Sequence, residues 1–93
     1  MIVGVCSIEI LIPDARSLKD KRKVVRSVID RARHRHNVSA AEVEHQDLWQ
    51  RAGIAFAAVS SSRKQLDSTF EAIVRDIDRS LPGQITRREV EIL

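Results

Sequence analysis

Aromatic rings are scarce in this chain. Tyrosine is absent, and Phe56, Phe70 and Trp49 are the only three aromatic side chains in 93 residues. A sheet that reads single-stranded RNA stacks bases on aromatic side chains, and this chain has few to offer. Cysteine is scarcer still. The single thiol, Cys6, excludes an intramolecular disulfide and lacks the companions of a thiolate zinc site. No apolar run is long enough to span a membrane. The opening "MIVGVCSIEIL" is interrupted by Glu9 and has no basic stretch ahead of it, so no signal peptide is read and a cytoplasmic protein is expected. The length suits one core rather than two, hence a single domain over residues 1–93. No linker and no low-complexity segment divides it.

Charge is what the chain has in quantity. Charged residues make up 31% of it, and 16 basic groups outweigh 13 acidic ones to a net +3. The balance is uneven along the chain. Residues 16–35 hold nine basic groups against Asp20 and Asp30, a local +7, while the remainder carries −4. A positive field concentrated on one segment can orient an acidic partner.

Hydrophobic periodicity places six elements. Residues 2–11 alternate as a strand, with Ile2, Gly4, Cys6, Ile8 and Ile10 on one face and Val3, Val5, Ser7, Glu9 and Leu11 on the other. Pro13 and Asp14 end it. Ser17 followed by Asp20 is a capping-box pattern. It opens a helix that runs to about His36, with Leu18, Val25, Val28, Ile29 and Ala32 as its apolar stripe and Asn37 at its exit. "VSAAEVE" (38–44) is a weaker strand whose alternation slips around Ala40–Ala41. "HQDLWQR" turns, and "AGIAFAAVS" (52–60) is a firmer strand. Ser62 and Gln65 form a second capping box before a helix marked by Leu66, Phe70, Ile73, Val74, Ile77 and Leu81. Pro82–Gly83 stops it, and "ITRREVEIL" closes the chain as a strand.

The order βαββαβ implies an α+β, ferredoxin-like fold: a four-stranded antiparallel sheet with two helices on one face. Right-handed crossovers give strand order 4-1-3-2. Three stretches add a resemblance. "RSLKDKRKVVRSVIDR", "AAEVEHQDLWQRA" and the closing "VEIL" resemble the YlxP-like family of small bacterial proteins of unknown function, over nearly the whole chain. The resemblance implies the same fold. It also implies frequent encoding beside genes of transcription elongation, translation initiation and ribosome maturation, and no established enzyme activity or catalytic residue.

The basic segment offers a grip on phosphates or only a wet helix face. On a helical wheel with Leu18 at the origin, the apolar stripe runs from about 280° to about 20°. Lys19, Arg22, Lys23, Arg26 and Arg33 fall together between about 40° and 140°, broken by Asp30, while Lys21 and Arg35 are read onto the opposite flank. As a grip, the five cations would neutralise RNA phosphates in a salt-sensitive way. As a wet face, they would pair internally, through Arg26–Asp30 and Asp30–His34.

The sheet face away from the helices would show Val3, Val5, Leu11, Ala55, Ala57 and Val59, an apolar strip without aromatics. It suits a homodimer or a protein partner rather than base stacking. Trp49, in a polar turn with Asp47 and Arg51, either anchors a partner or folds back to cap the core.

Enzyme readings fare poorly. Arg16 and Asn37 stand at loosely acylphosphatase-like places, but the glycine-rich cradle is missing. His34 and His36 point apart on a helix and cannot share a metal, and His45 stands alone. Ser60–Ser62 is a cap region, and Cys6 a buried, inert thiol. No catalytic site, metal, small-molecule cofactor or membrane contact is expected. The expected function is that of a non-enzymatic accessory protein binding structured RNA or a ribosomal subunit through the basic helix. The alternative is a small dimeric interaction module using the open sheet face and the Trp49 loop.

Overall fold

The computed structural model describes residues 1–93 and contains the six elements in the expected order: β1 (Ile2–Leu11), α1 (Leu18–Arg35), β2 (Ser39–Glu44), β3 (Arg51–Ser60), α2 (Arg63–Ser80) and β4 (Ile85–Ile92). The sheet is antiparallel throughout, with spatial order β2-β3-β1-β4, the expected order read from the other edge. β1 pairs with β3 without a slip from Ile2 opposite Ser60 to Leu11 opposite Arg51. That register puts Gly4, Cys6, Ile8 and Ile10 beside Ala58, Phe56, Ile54 and Ala52 under the helices.

Both helix caps form. Ser17 Oγ accepts from the Asp20 amide at 3.0 Å, and the Asp20 carboxylate accepts from the Arg16 amide at 3.0 Å, so two amides at the start of α1 are satisfied. Ser62 Oγ accepts from the Gln65 amide at 3.2 Å. At the other end of α1 the His36 amide donates to Ala32 O at 2.9 Å. The Val38 amide then turns back to His36 O, which delays β2 by one residue to Ser39.

The core is one cluster drawn from β1, β3 and the inner faces of the two helices, with Ile12 and Ala15 of the connection between β1 and α1. Val25, Val28 and Ala32 meet it from α1, and Leu66, Phe70, Ile73 and Ile77 from α2. Each fully buried large aliphatic or aromatic side chain contributes roughly 1.5–3 kcal/mol. Gly4 lets α2 settle close on β1, since a Cβ there would stand 3.0 Å from the Phe70 ring and 3.3 Å from Leu66. β4 contributes no fully buried residue to the core. Thr86–Glu91 are exposed on both faces, and the Arg and Glu side chains among them keep this edge strand wet.

β2 departs from expectation in a way that matters below. Ala40–Ala41, the expected place of a slip, are regularly paired; the bulge falls between Glu42 and Glu44. Glu44 then crosses over Gly53, where an added Cβ would lie only 2.8 Å from the Glu44 Cβ. The next residue, His45, adopts φ 59°, a left-handed conformation uncommon for a residue other than glycine. Ala40 and Glu42 thus turn toward the helices, while Ala41 and Val43 join the open face.

Candidate nucleic-acid interface

α1 presents two different flanks. Toward α2, Val28, Arg31 and Ala32 line a narrow hollow with Ile73, Asp76, Ile77 and Ser80, and Arg35 Nη1 reaches Asp76 Oδ2 at 3.1 Å. That flank finds its counter-charge across the helix pair. On the other flank Lys19, Arg22, Lys23, Arg26 and Arg33 are all on the helix surface, and none of the five is in an ion pair. The expected Arg26–Asp30 and Asp30–His34 pairs do not form. From Lys19 to Arg33 the row of free cations extends about 21 Å along the helix axis.

Lys21 is not part of a solvated flank. It is the one charged residue buried completely. Its Nζ lies 2.8 Å from Glu42 Oε2 on β2, and it donates to His45 O at 2.8 Å, Gln46 O at 3.1 Å and Arg51 O at 3.4 Å. Its residue type, among so many cations, points to water and so misplaces it. The helical wheel holds the signal: Lys21 falls at about 300°, inside the apolar stripe between Val28 and Ala32. A buried cation needs a counter-charge and acceptors. β2 and the β2–β3 connection supply both.

That connection is latched a second time. Gln50 Nε2 donates to Pro13 O at 3.1 Å and Ala15 O at 3.2 Å, and the Ile12 amide donates to Gln50 O at 2.9 Å. Inside the latches, the Leu48 amide donates to His45 O at 3.0 Å. Trp49 does not fold back onto the core; it is 53% exposed, beside Leu48 at 47%. The structure thus overturns the core-capping reading of this residue.

The open sheet face carries the apolar strip where parity placed it. Val3, Val5, Ala55 and Ala57 are half-buried, Val59 is 63% exposed, and Leu11 lies at the strip's end opposite Arg51. The bulge extends the strip by adding Val43, 50% exposed. At one end of this face His45 is not alone. Its Nε2 lies 3.1 Å from Glu9 Oε2 and 3.8 Å from Glu44, and Arg51 Nε lies 3.3 Å from Glu9 Oε1. The hydrogen bond from His45 is the largest influence holding the Glu9 carboxyl below its ordinary range. Partial burial opposes it, and the Arg51 charge and the Thr86 hydroxyl assist. Glu9, Glu44 and His45 have ligand atoms within 4.8 Å of one another, the one set close enough to share a cation. Arg51 and Thr86 already occupy Glu9, and the arrangement works as an electrostatic pin on the bulge. No periodicity reveals it, because only the left-handed residue brings His45 across.

The remaining candidates stay apart. Arg16 and Asn37 stand at opposite ends of α1, an 18-residue helix about 27 Å long, so they cannot act on one phosphate. Cys6 is fully buried, and burial pushes its thiol up to about 11 against the opposing pull of Arg88. A thiol so placed supplies almost no thiolate at neutral pH. No helix is long and apolar enough to cross a membrane.

The fold is ferredoxin-like α+β, and comparison with known proteins places the chain more closely. It belongs to the family described as "Protein of unknown function (DUF503)", whose model matches residues 3–90. It is 39% identical over 90 residues to the uncharacterized protein YlxP of Bacillus subtilis (strain 168), covering 95% of this chain and 98% of that one. Among solved structures, the de novo designed protein Foldit4 has a TM-score of 0.58 at 13% identity, covering 99% of this chain and 94% of its own. A protein described as a "Putative antibiotic biosynthesis monooxygenase from Nitrosomonas europaea" has a TM-score of 0.54 at 11% identity, with 99% and 88% covered. An artificial protein and one named as a monooxygenase thus share a backbone plan with this chain, so the likeness speaks for the fold alone.

Proposed function

We propose that the chain is a non-catalytic accessory protein that binds structured RNA, in a ribosomal subunit or its precursor, through the outer flank of α1. One observation carries this reading. Five cations stand on one face with no ion-pair partner in the protein, although an aspartate sits among them, while Arg35 on the opposite flank finds Asp76. Arginine on such a surface can hold a phosphate through two parallel bonds, and lysine as a point charge. The gene neighbourhood implied by the family resemblance agrees with it.

The test is the salt dependence of binding to an RNA hairpin. Neutralising about four or five phosphates should lower the association constant by roughly two to three orders of magnitude between about 50 and 200 mM salt. Binding that is absent, or flat across that range, would contradict the proposal.

The apolar strip formed by Val3, Val5, Ala55, Ala57 and Val59, with Leu11 set apart beyond Ser7 and Glu9, favours a second reading, a homodimer joined through the open sheet face. Its signature is a concentration-dependent doubling of mass in sedimentation that survives high salt and is lost in Ala57→Lys. A monomer at all concentrations would remove it.

A further inference from the structure

We infer that Trp49 is a stacking platform for one unpaired base of the RNA held by α1. The inference rests on the phosphate-binding reading above and adds a base contact to it. Trp49 is the largest side chain among the exposed hydrophobic residues, and an exposed Trp forgoes burial that a flexible loop would recover by folding back. The loop cannot fold back. Before Trp49 it is held by the His45 and Gln46 carbonyls bonded to the buried Lys21, and after it by Gln50, which bonds the β1–α1 connection, and by the Arg51 carbonyl, also bonded to Lys21. Trp49 lies between these two latches, so the indole is presented on a fixed support rather than left loose.

The same anchor fixes which end of α1 the loop meets. Lys21 lies within the first two turns of α1, and its neighbours in sequence, Lys19, Arg22 and Lys23, are free cations on the helix surface. One residue therefore ties the aromatic loop to the start of the phosphate-binding row. Lys21 points into the apolar stripe while Lys19 and Lys23 point to the other side of the helix, so the π-face and the first cations share one end of α1. That arrangement suits a nucleotide at a helix end or bulge, with its base splayed from the stack and its backbone passing to the flank. Base–aromatic stacking tolerates any base, so the contact recognises the unpaired state rather than a sequence. The open sheet face takes no part, consistent with its lack of aromatic side chains.

The experiment uses two RNA hairpins with the same stem, one blunt and one with a short single-stranded 3′ overhang, at low salt. With no tyrosine and one tryptophan in the chain, intrinsic fluorescence reports Trp49 alone. The overhang hairpin should quench that fluorescence and bind about five- to a hundredfold more tightly than the blunt one. Trp49→Leu should erase the preference while leaving blunt-hairpin binding unchanged, and Trp49→Phe should restore part of it. Equal affinities without quenching, in a protein whose binding still depends on Lys19, Lys23 and Arg26, would overturn the stacking and leave the phosphate grip standing. Binding to neither hairpin would overturn both. A fluorescence change that follows protein concentration instead of RNA would also overturn the inference, assigning Trp49 to a protein contact.

Discussion

Replacing Lys21 by methionine, close in size but uncharged, should destabilise the protein more than any other change in the basic segment. The substitution leaves the Glu42 carboxylate, whose side chain is only 16% exposed, without its counter-charge at 2.8 Å. It also strips a donor from the carbonyls of His45, Gln46 and Arg51. Removing one partner of a buried ion pair costs about 3–5 kcal/mol. Because Glu42 keeps some contact with water, and the carbonyls near the turn can rehydrate, a loss of about 3 kcal/mol is expected. A domain of this size holds roughly 5–14 kcal/mol in total, so the loss is a large share of it. Urea denaturation followed by far-UV circular dichroism measures the cost. Trp49 fluorescence in the native baseline should shift as the loop loosens. In a double-mutant cycle, adding Glu42→Gln to the Lys21→Met variant should recover part of the loss, since the orphaned charge is then gone. Lys19→Met and Lys23→Met should stay within about 0.5 kcal/mol of wild type. If Lys21→Met behaved like those two, the reading of Lys21 as a buried structural cation would be refuted.

Other outcomes follow from individual contacts. Gly53→Ala places a methyl 2.8 Å from the Glu44 Cβ; the bulge must shift, at a cost of about 1–3 kcal/mol in thermal or urea unfolding. Glu9 has a carboxyl pKa lowered by His45 and its neighbours. Its contribution to stability is therefore present above the ordinary glutamate range and lost as pH falls through the lower folded value. Glu9→Gln should flatten the acid limb of the stability profile, and an unchanged limb would argue against the pin. Cys6, with its thiol raised to about 11, should react with a thiol reagent at neutral pH only at the rate of opening of the fold; rapid labelling of the native protein would contradict its burial.

Much of the fold is legible in the sequence because its signals are local and redundant. The alternation of residues 2–11, the two Ser caps and the Pro82–Gly83 stop each mark an element by themselves, and six such elements in βαββαβ order leave little topological choice. The open-face strip follows from parity alone. What escapes depends on three dimensions. Lys21 sits in the apolar stripe, yet its type argues for water until the β2–β3 hairpin brings Glu42 and three carbonyls to it. His45 meets Glu9 only through a bulge and a left-handed residue, one position past where strand parity ends. The latches that hold Trp49 outward join segments more than twenty residues apart, which no window of sequence contains. The basic flank lies between these cases: the wheel locates the five cations, but only the structure shows that Asp30 pairs with none of them.

If the outer flank of α1, and not positive charge in general, holds RNA, reversing the charge of that flank alone must abolish binding. The most direct measurement is co-sedimentation with small ribosomal subunits at low and physiological salt, for three folded proteins of known stability. These are the wild type, a Lys19→Glu/Lys23→Glu/Arg26→Glu variant, and a control with the same charge change on α2, Arg63→Glu/Lys64→Glu/Arg75→Glu. The wild type and the α2 control should bind in a salt-sensitive way, and the α1 variant should not bind. Equal binding by all three, equal loss in both variants, or no binding by the wild type would contradict RNA binding by this flank.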